Sequence, residues 1–390
     1  MRGLDRNRAA GLAVGMAAAL APVAGIASEL RVRRSRQPLT DRWAGVPVER
    51  RAGTLLGLSF RPLQAESFGL EPRAALRALL PHPFEVIRLG AYWNRMEPAP
   101  GRFDPSELDW QVDAAEEAGK RIIICLGPVK TFGYPEFFVP RHHLPEPLPE
   151  GSLIGPAGHA SLLAAGTEFV TRVIERYRSR ESVIAWQVEH EAVDPLGMEH
   201  SWRLSAGFVR REVDAVRTVD PGRPVLLNGF LPTSTPVRLM QWWRSRDQGD
   251  SLSVAQDLAD IVGIDFYPRN AVAERGGVGV YLDGGRRPWQ QGGWVRTSRW
   301  ACDAPGRRLM IAEGQAEPWE AVTTPPDPAR HEMYSCRPEH VIGNYNEAIR
   351  RSRPVPVWAY LFWGAEYWLL RERGGDRRYV DAFARVLAEA

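Results

Sequence analysis

The sequence predicts a single (β/α)₈ barrel, an α/β fold of the TIM-barrel type, from about residue 53 to the last residue. Three observations support this prediction. Eight short apolar runs follow one another along the chain, segments of helical periodicity separate most of them, and 390 residues are enough for one large barrel. Two ordinary domains would also fit this length.

The eight apolar runs are rich in valine, isoleucine and leucine. They do not alternate cleanly with polar residues, which is typical of strands that are buried on both faces. We number the predicted strands one to eight. They cover residues 54–60, 85–93, 121–127, 183–191, 224–230, 260–267, 309–315 and 356–364.

Helical segments fill most of the intervals between these runs. Residues 106–119 begin with Ser106 as the expected N-cap, and residues 206–221 carry an apolar face that ends at Pro221. Four more segments are predicted to be helical, namely 72–80, 166–179, 338–352 and 379–390. A doubly wound open sheet is the rival fold, but the sequence contains neither of its usual glycine-rich phosphate-binding motifs.

Two long insertions follow strands three and six, at residues 128–160 and 268–305. The first is rich in proline and histidine, and the second in glycine, arginine and tryptophan. Because barrels of this kind build their active sites at the C-terminal ends of the strands, both insertions are expected to shape a cleft.

The N-terminal residues differ from the rest of the chain. Three arginines precede an Ala-, Gly- and Leu-rich stretch with small residues near Ala27, which predicts a signal peptide or membrane anchor over residues 1–28. Residues 29–52 are then expected to form a basic linker, and residues 53–390 the catalytic domain. The expected location is secreted, periplasmic or tethered to the outer face of the membrane. Four arginines between positions 31 and 36 favour the cytoplasmic side as the alternative.

The composition indicates an ordinary globular protein. The net charge is only +3, from 50 basic and 47 acidic residues, so a nucleic-acid partner is not expected. The 14 tryptophans fit either sugar-stacking surfaces or a large core. Three cysteines are too few for a disulfide framework and lack the spacing of a zinc site. The oligomeric state is left open.

Acidic residues lie where several predicted strands end. Glu189 and Glu191 end strand four, Glu313 ends strand seven, and Glu97 lies just past strand two. A carboxylate at the end of a buried strand is costly unless it is paired or used. Strands four and seven lie on opposite sides of an eight-stranded barrel, so Glu191 and Glu313 are expected to face each other across its mouth. Hydrolysis of a glycosidic bond needs two such carboxyl groups.

Several motifs resemble clan A of the glycoside hydrolases, the retaining barrel enzymes whose acid/base and nucleophile lie on strands four and seven. The similar segments are WQVEHE (186–191), which resembles the clan's W-x-x-x-N-E motif, IAEGQAEPW (311–319), VIRLGAYWNRMEPAPGRFD (86–104), FYP (266–268) and LFWG (361–364). The resemblance covers about residues 53–388. It is nearest to families five and forty-two, the cellulase-like and β-galactosidase-like barrels.

This resemblance implies a retaining glycoside hydrolase that acts on a β-linked glycan or glycoside without a metal or an organic cofactor. Glu191 would be the acid/base and Glu313 the nucleophile. Arg88 and Tyr267 would hydrogen-bond Glu313 and keep it ionised. The implied contacts with the carbohydrate substrate are Arg88, Trp93, His190, Tyr267, Trp319 and Trp363, with Trp363 as the floor of the sugar subsite.

One position departs from the clan's pattern. The asparagine that precedes the acid/base is His190 here. In the clan this asparagine contacts the sugar 2-hydroxyl, and that contact strengthens in the transition state. A catalytically weakened or inactive carbohydrate-binding barrel is therefore the alternative function.

Other polar residues in these segments have structural interpretations. Glu189 is expected to be the structural partner of an arginine, and Glu97 to pair with an arginine in its loop. His142 and His143 are not expected to bind a metal, because adjacent residues on a loop rarely ligate one ion and no H-x-x-x-H partner is present.

Overall fold

The centre of the computed structural model is a closed barrel of eight parallel strands. The structure describes residues 28–34, 39–195, 200–245, 247–275, 278–284, 291–318, 335–353 and 355–390. Strands one to eight are Leu55–Ser59, Val86–Gly90, Arg121–Cys125, Val183–Gln187, Val225–Phe230, Ile261–Phe266, Arg308–Gln315 and Ala359–Trp363. Each lies within, or within one residue of, a predicted apolar run, and the predicted (β/α)₈ barrel is confirmed.

Every barrel strand pairs in parallel with its sequence neighbours, and strand eight pairs with strand one to close the barrel. All residues of strands two, five, six and eight are buried. Helices cover the outside of the barrel and side chains fill its inside, so these strands carry continuous apolar runs rather than an alternating pattern. Strand seven has a bulge next to Glu313, where its pairing with strand six shifts register.

The six predicted helices are all present, and others join them. The described helices are Pro62–Ser67, Pro72–Leu79, Trp93–Met96, Ser106–Glu117, Ala160–Tyr177, Ala206–Val219, Thr235–Ser245, Ser251–Leu258, Gly292–Cys302, Pro338–Arg351, Ala365–Arg373 and Arg378–Glu389. Ser205 caps one of them, because its hydroxyl accepts a hydrogen bond from the backbone N–H of Phe208 (3.2 Å). Ser106 is the first helical residue rather than the N-cap, a position that Pro105 occupies.

The two insertions build on the C-terminal side of the barrel strands. The first contains the short strand Leu153–Ile154, which pairs with Arg203–Leu204 after strand four. The second begins with the hairpin Arg269–Arg275 and Val278–Asp283, and its helix Gly292–Cys302 returns the chain to the barrel.

Part of the predicted linker, residues 29–52, packs against the barrel domain. The strand Leu30–Arg34 pairs antiparallel with the hairpin strand Val278–Asp283 and completes a three-stranded sheet. The carboxylate of Glu29 is buried and accepts a hydrogen bond from the backbone N–H of Thr235 (2.9 Å). These contacts tie the segment to the loops after strands five and six.

The predicted signal peptide or membrane anchor, residues 1–28, lies outside the described residues except for Ser28. None of the helices in the described part of the chain has the length and apolarity that a bilayer crossing requires. The predictions of export and of a membrane tether therefore stay predictions.

Candidate active site

Buried polar side chains from several strands meet at the C-terminal end of the barrel. Arg88 donates from Nε to Ser59 Oγ (2.9 Å) and from Nη1 to Gln187 Oε1 (3.2 Å). Gln187 Nε2 donates to Asn228 Oδ1 (2.9 Å), and Asn228 Nδ2 donates to Asp265 Oδ2 (2.5 Å). This chain of hydrogen bonds links five of the eight strands and orients the polar groups that face the barrel mouth.

Glu313 on strand seven is the end point of three hydrogen bonds. Its Oε1 accepts from Arg88 Nη2 (2.7 Å) and lies 2.9 Å from His190 Nε2. Its Oε2 accepts from the hydroxyl of Tyr267 (2.7 Å). The side chain is only 3% exposed, and the strand-seven bulge aims it into the site. The structure therefore brings four predicted site residues together on one carboxylate group.

These contacts keep Glu313 ionised. Burial alone would raise its pKa, but the charges of His190 and Arg88, with hydrogen bonds from His190 and Tyr267, lower the pKa to about 2. The carboxylate is thus available as a nucleophile at any pH near neutrality.

Glu191 lies in the turn that follows strand four. Its backbone has a positive φ of 43°. The turn is held by the carbonyl oxygen of Glu191, which accepts from Lys130 Nζ (2.8 Å), and by its N–H, which donates to Asn228 Oδ1 (3.4 Å). Strained backbone of this kind is often found at functional sites. The side chain is 8% exposed and lies within the same polar network.

The environment of Glu191 raises its pKa, whereas that of Glu313 lowers the pKa of the nucleophile candidate. Burial raises the pKa of Glu191 to about 7, the charge of His190 opposes this, and the negative charges of Asp194 and Glu313 add to it. Near neutral pH Glu313 is therefore ionised, whereas Glu191 can carry a proton. Two carboxyl groups with pKa values pushed apart are the arrangement that glycoside hydrolysis uses.

Two further carboxyl groups belong to the site and were not predicted. Burial and the negative charges of Glu313 and Glu191 raise the pKa of Asp265 well above its ordinary value. Burial raises the pKa of Glu136, in the insertion after strand three, to about 7 against the charge of Lys130. An acid in the interior of the apolar run 260–267 was a signal for Asp265, whereas nothing in the sequence marks Glu136.

Trp363 ends strand eight beside Arg88, whose guanidinium lies 5.4 Å from the centre of the indole ring. Arg61 lies over the same ring at 4.2 Å, and Phe132 packs against it edge-on at 6.0 Å. Arg61 is itself fixed by an ion pair with Glu317 (2.7 Å). The predicted floor residue is therefore rigidly held at the barrel mouth, with 8% of its surface exposed.

Trp93 is not part of the site, and its prediction as a substrate contact is wrong. Strand two ends at Gly90, and the short helix that begins at Trp93 turns the indole toward the surrounding helices. Its ring is fully buried and stacks between His143 (4.8 Å) and Phe169 (5.5 Å). Trp319, another predicted contact, lies outside the described residues.

Glu189 and Glu97 have partners other than the predicted arginines. Glu189 accepts hydrogen bonds from the backbone N–H groups of Val129 (3.0 Å) and Lys130 (2.5 Å). Glu97 accepts from the indole of Trp93 (2.8 Å) and contacts two histidine rings. Among the described residues neither acid has an arginine partner. Main-chain N–H groups bind Glu189 instead, and aromatic and histidine rings bind Glu97.

Comparison of the sequence with known families finds a match over part of the barrel. The model for family 42 glycoside hydrolases, described as β-galactosidase, matches residues 74–202, about a third of the chain. The matched segment runs from the helix before strand two past Glu191. No curated protein matches the sequence. The family match confirms the predicted resemblance to clan A of the glycoside hydrolases. Of the two predicted kinds, cellulase-like and β-galactosidase-like, it supports the β-galactosidase-like one.

Solved structures show the same fold at low sequence identity. A GH5_18 protein from Bifidobacterium longum subsp. longum, in complex with Manβ1-4GlcNAc, has a TM-score of 0.54 at 11% identity, covering 86% of this chain and 78% of that one. The cold-adapted β-galactosidase from Rahnella sp. R3 has a TM-score of 0.52 at 12% identity, covering 90% of this chain and 57% of its own length. Xylanase 10B from Thermotoga maritima has a TM-score of 0.51 at 12% identity, covering 86% and 95%.

Proposed function

We propose that this chain, a β-galactosidase-like glycoside hydrolase of the clan A type, cleaves a β-linked glycoside by double displacement with retention of configuration. The observation that carries the proposal is the contrast between two carboxyl groups. Glu313 is held ionised by three donors, whereas Glu191 can carry a proton near neutral pH because burial raises its pKa to about 7. These are the states that a nucleophile and a general acid need before the first step.

In the first step an oxygen of Glu313 attacks the anomeric carbon. The bond from this carbon to the leaving oxygen breaks, and that oxygen takes the proton of Glu191. The product is an ester between the sugar and Glu313, with Glu191 left as a carboxylate. The hydrogen bond from Tyr267 to Oε2 orients the carboxylate for attack and later stabilises it as it departs.

In the second step the Glu191 carboxylate takes a proton from water. The resulting hydroxide equivalent attacks the anomeric carbon from the opposite face and breaks the bond to Glu313. The sugar leaves with its original configuration, Glu313 is ionised again, and Glu191 is protonated. Protons and charges therefore return to the starting state.

His190 takes a different part from the clan's asparagine. Its Nε2 is on Glu313, whereas its Nδ1 is buried and has no hydrogen-bond partner among the described residues. A group in this position can hold the nucleophile with one nitrogen and reach a substrate hydroxyl with the other. Contact with the sugar 2-hydroxyl is therefore assigned to His190 in this proposal.

A β-D-galactoside is the first substrate class to test, because the matched family model is described as β-galactosidase. Glu136 also supports a ligand with many hydroxyl groups, such as a sugar. Its Oε2 is buried and has no hydrogen-bond partner within the described part of the chain, so it can accept from a sugar hydroxyl. A panel of nitrophenyl glycosides that differ in the sugar tests this assignment.

The mechanism is tested with Glu313→Ala and Glu191→Ala on an activated aryl glycoside. Azide should rescue both variants, giving the α-glycosyl azide from Glu313→Ala and the β-glycosyl azide from Glu191→Ala. Glu150→Gln, which changes an exposed carboxylate, is the matched control and should behave like the parent protein. Rescue products of the opposite configurations would overturn the assignment.

A carbohydrate-binding barrel without turnover is the second candidate, and His190 at the clan's asparagine position favours it. The parent protein would then bind sugars in calorimetry but release no aryl alcohol from any glycoside. Turnover that disappears in Glu313→Ala excludes this candidate.

We also propose that the barrel acts outside the cytoplasm, supported by the signal-like pattern of residues 1–28. Fusion of residues 1–60 to a reporter enzyme that is active only after export tests this. Reporter activity supports export, and activity only from a cytoplasmic reporter contradicts it.

A further inference from the structure

A second cluster of chemically active side chains lies away from the glutamate pair. Glu97, after strand two, and His142 and His143, in the insertion after strand three, come together at the outer side of the barrel mouth. Both histidine Nε2 atoms lie 3.0 Å from the same carboxylate oxygen, Glu97 Oε1. One ligand atom from each of the three residues falls within 4.8 Å of the others.

We propose that Glu97, His142 and His143 bind a divalent transition-metal ion, zinc(II), that ties the loop after strand three to the loop after strand two. Two imidazoles and one carboxylate are ligands that zinc commonly takes in proteins, at about 2.0–2.2 Å from the metal. Tetrahedral ligands at such lengths lie roughly 3.3 Å apart. The two nitrogen-to-oxygen separations of 3.0 Å are close to this, and the two nitrogens lie within 4.8 Å of each other.

The surroundings of Glu97 orient it for this role. The other carboxylate oxygen, Oε2, accepts a hydrogen bond from the indole N–H of Trp93 (2.8 Å), which leaves Oε1 directed at the histidines. The ring of Trp93 also stacks on His143. Partners of this kind around a ligand raise metal affinity.

The cluster is also accessible. The side chains of His142 and His143 are 23% and 24% exposed, and that of Glu97 is 12% exposed. An ion can therefore enter, and water can complete its coordination. A shared ion was not expected from the sequence, because adjacent side chains on a loop rarely ligate one ion. In the folded loop both His142 and His143 place Nε2 against the same oxygen, Glu97 Oε1.

A bound ion would act on the catalytic site through the insertion. The same loop carries Lys130, which holds the turn of Glu191, and Glu136, which faces the site. Fixing its distal part to Glu97 would limit its movement. The ion is therefore structural in this proposal and takes no part in the sugar chemistry, and the proposal does not depend on the glycosidase activity.

The test uses the full chain without a polyhistidine tag, stripped with a chelator and dialysed. Zinc chloride is titrated by calorimetry, and cobalt chloride is titrated by its visible absorption. We expect one equivalent of each metal, a cobalt spectrum typical of tetrahedral coordination, and a higher melting temperature with zinc. His143→Gln and Glu97→Gln should each weaken binding at least tenfold and abolish the thermal shift, with circular dichroism reporting that the variants are folded.

The control variant is His200→Gln, because His200 pairs with Glu150 at the same 3.0 Å separation but on an exposed surface. It should bind like the parent protein. Absence of stoichiometric binding in the parent overturns the proposal. So does binding that survives in both His143→Gln and Glu97→Gln, or that is lost instead in His190→Asn, because His190, Asp265 and Glu313 form a second cluster among the described residues that could hold an ion.

Discussion

His190 Nε2 lies 2.9 Å from Glu313 Oε1, the same oxygen that accepts a hydrogen bond from Arg88. The residue that departs from the clan's motif is therefore in direct contact with the proposed nucleophile. Two cationic or hydrogen-bonding groups on one oxygen explain why Glu313 stays ionised although it is almost fully buried. Histidine at position 190 thus adds a contact to the proposed nucleophile and also changes the group that is available to bind the sugar.

Replacing His190 tests this support. His190→Ala should lower kcat/KM by about 100-fold, equivalent to ~2.7 kcal/mol of transition-state stabilisation. It should also raise the pKa of Glu313, so the acid limb of the pH profile moves to higher pH. His190→Asn should lose less of its kcat/KM than His190→Ala. Its kcat/KM should also depend more strongly on the substrate's 2-hydroxyl, which a 2-deoxy glycoside measures. His200→Gln is the control, and an unchanged acid limb in His190→Ala would contradict the account.

Tyr267→Phe removes one hydrogen bond from Glu313 and little else. The hydroxyl lies 2.7 Å from Oε2, so its loss should lower kcat/KM by roughly 10- to 100-fold with little effect on folding. Tyr345→Phe is the matched control, because that hydroxyl donates to the backbone of Glu49 far from the site. Equal activity of the two variants would show that Tyr267 does not support the nucleophile.

The basic limb of the pH profile should belong to Glu191. A general acid must be protonated, and the pKa of Glu191 is raised to about 7, so kcat/KM should fall tenfold per pH unit above that value. Glu191→Gln should be slowed by about 100- to 10,000-fold on substrates with poor leaving groups and much less on dinitrophenyl glycosides. It should also lose the basic limb with the activated substrates, and a persisting limb would assign the titration to another group.

A buried carboxyl pair behind strand four should make stability depend on pH. Burial raises the pKa of Glu189 to about 7 and that of Glu212 well above its ordinary value. A raised carboxyl pKa gives stability that is complete below the unfolded value, about 4.3, and is lost as the pH rises through the folded value. The melting temperature should therefore be lower at pH 8 than at pH 6.

Glu212→Gln isolates the contribution of this pair. Glu212 is fully buried, and the negative charge of Glu189 and a hydrogen bond with that carboxyl group add to the effect of burial on its pKa. The neutral amide should flatten the pH dependence and raise the melting temperature at pH 8 by about 2–4 °C. Glu191→Gln, which removes an active-site carboxyl titrating in the same range, is the comparison. A slope that changes only in Glu191→Gln would contradict the assignment to Glu212.

Much of the barrel was predictable because its strands are buried on both faces and so form apolar runs. Two of the helices that were not predicted have no apolar face opposite a polar one in their sequences. In the helix Thr235–Ser245, Trp242 and Trp243 are 60% and 62% exposed, which hides the amphipathic pattern. The helix Ala365–Arg373 is almost entirely buried and so lacks a polar face. Periodicity predicts a helix only where one side faces solvent.

The candidate site divides in the same way. The positions of Arg88, Glu313 and Tyr267 were predictable because they lie on barrel strands or directly after one, and that of Glu191 because its turn follows strand four into the same polar network. Glu136 and the histidine pair come from the insertion after strand three, whose path depends on tertiary contacts such as Asn94 N–H with Phe138 O (2.8 Å). Trp93 was misassigned because the chain turns away just after strand two.

The most direct measurement of the central claim is the trapping of the glycosyl–enzyme ester. A 2-deoxy-2-fluoro-β-glycoside with a dinitrophenyl leaving group slows both steps, the second more than the first, so the intermediate accumulates. Peptide mass spectrometry after brief digestion should then find one sugar attached to Glu313, and none on protein that carries Glu313→Gln. A sugar on Glu191 or another residue, or turnover to product of inverted configuration without any adduct, would contradict the account.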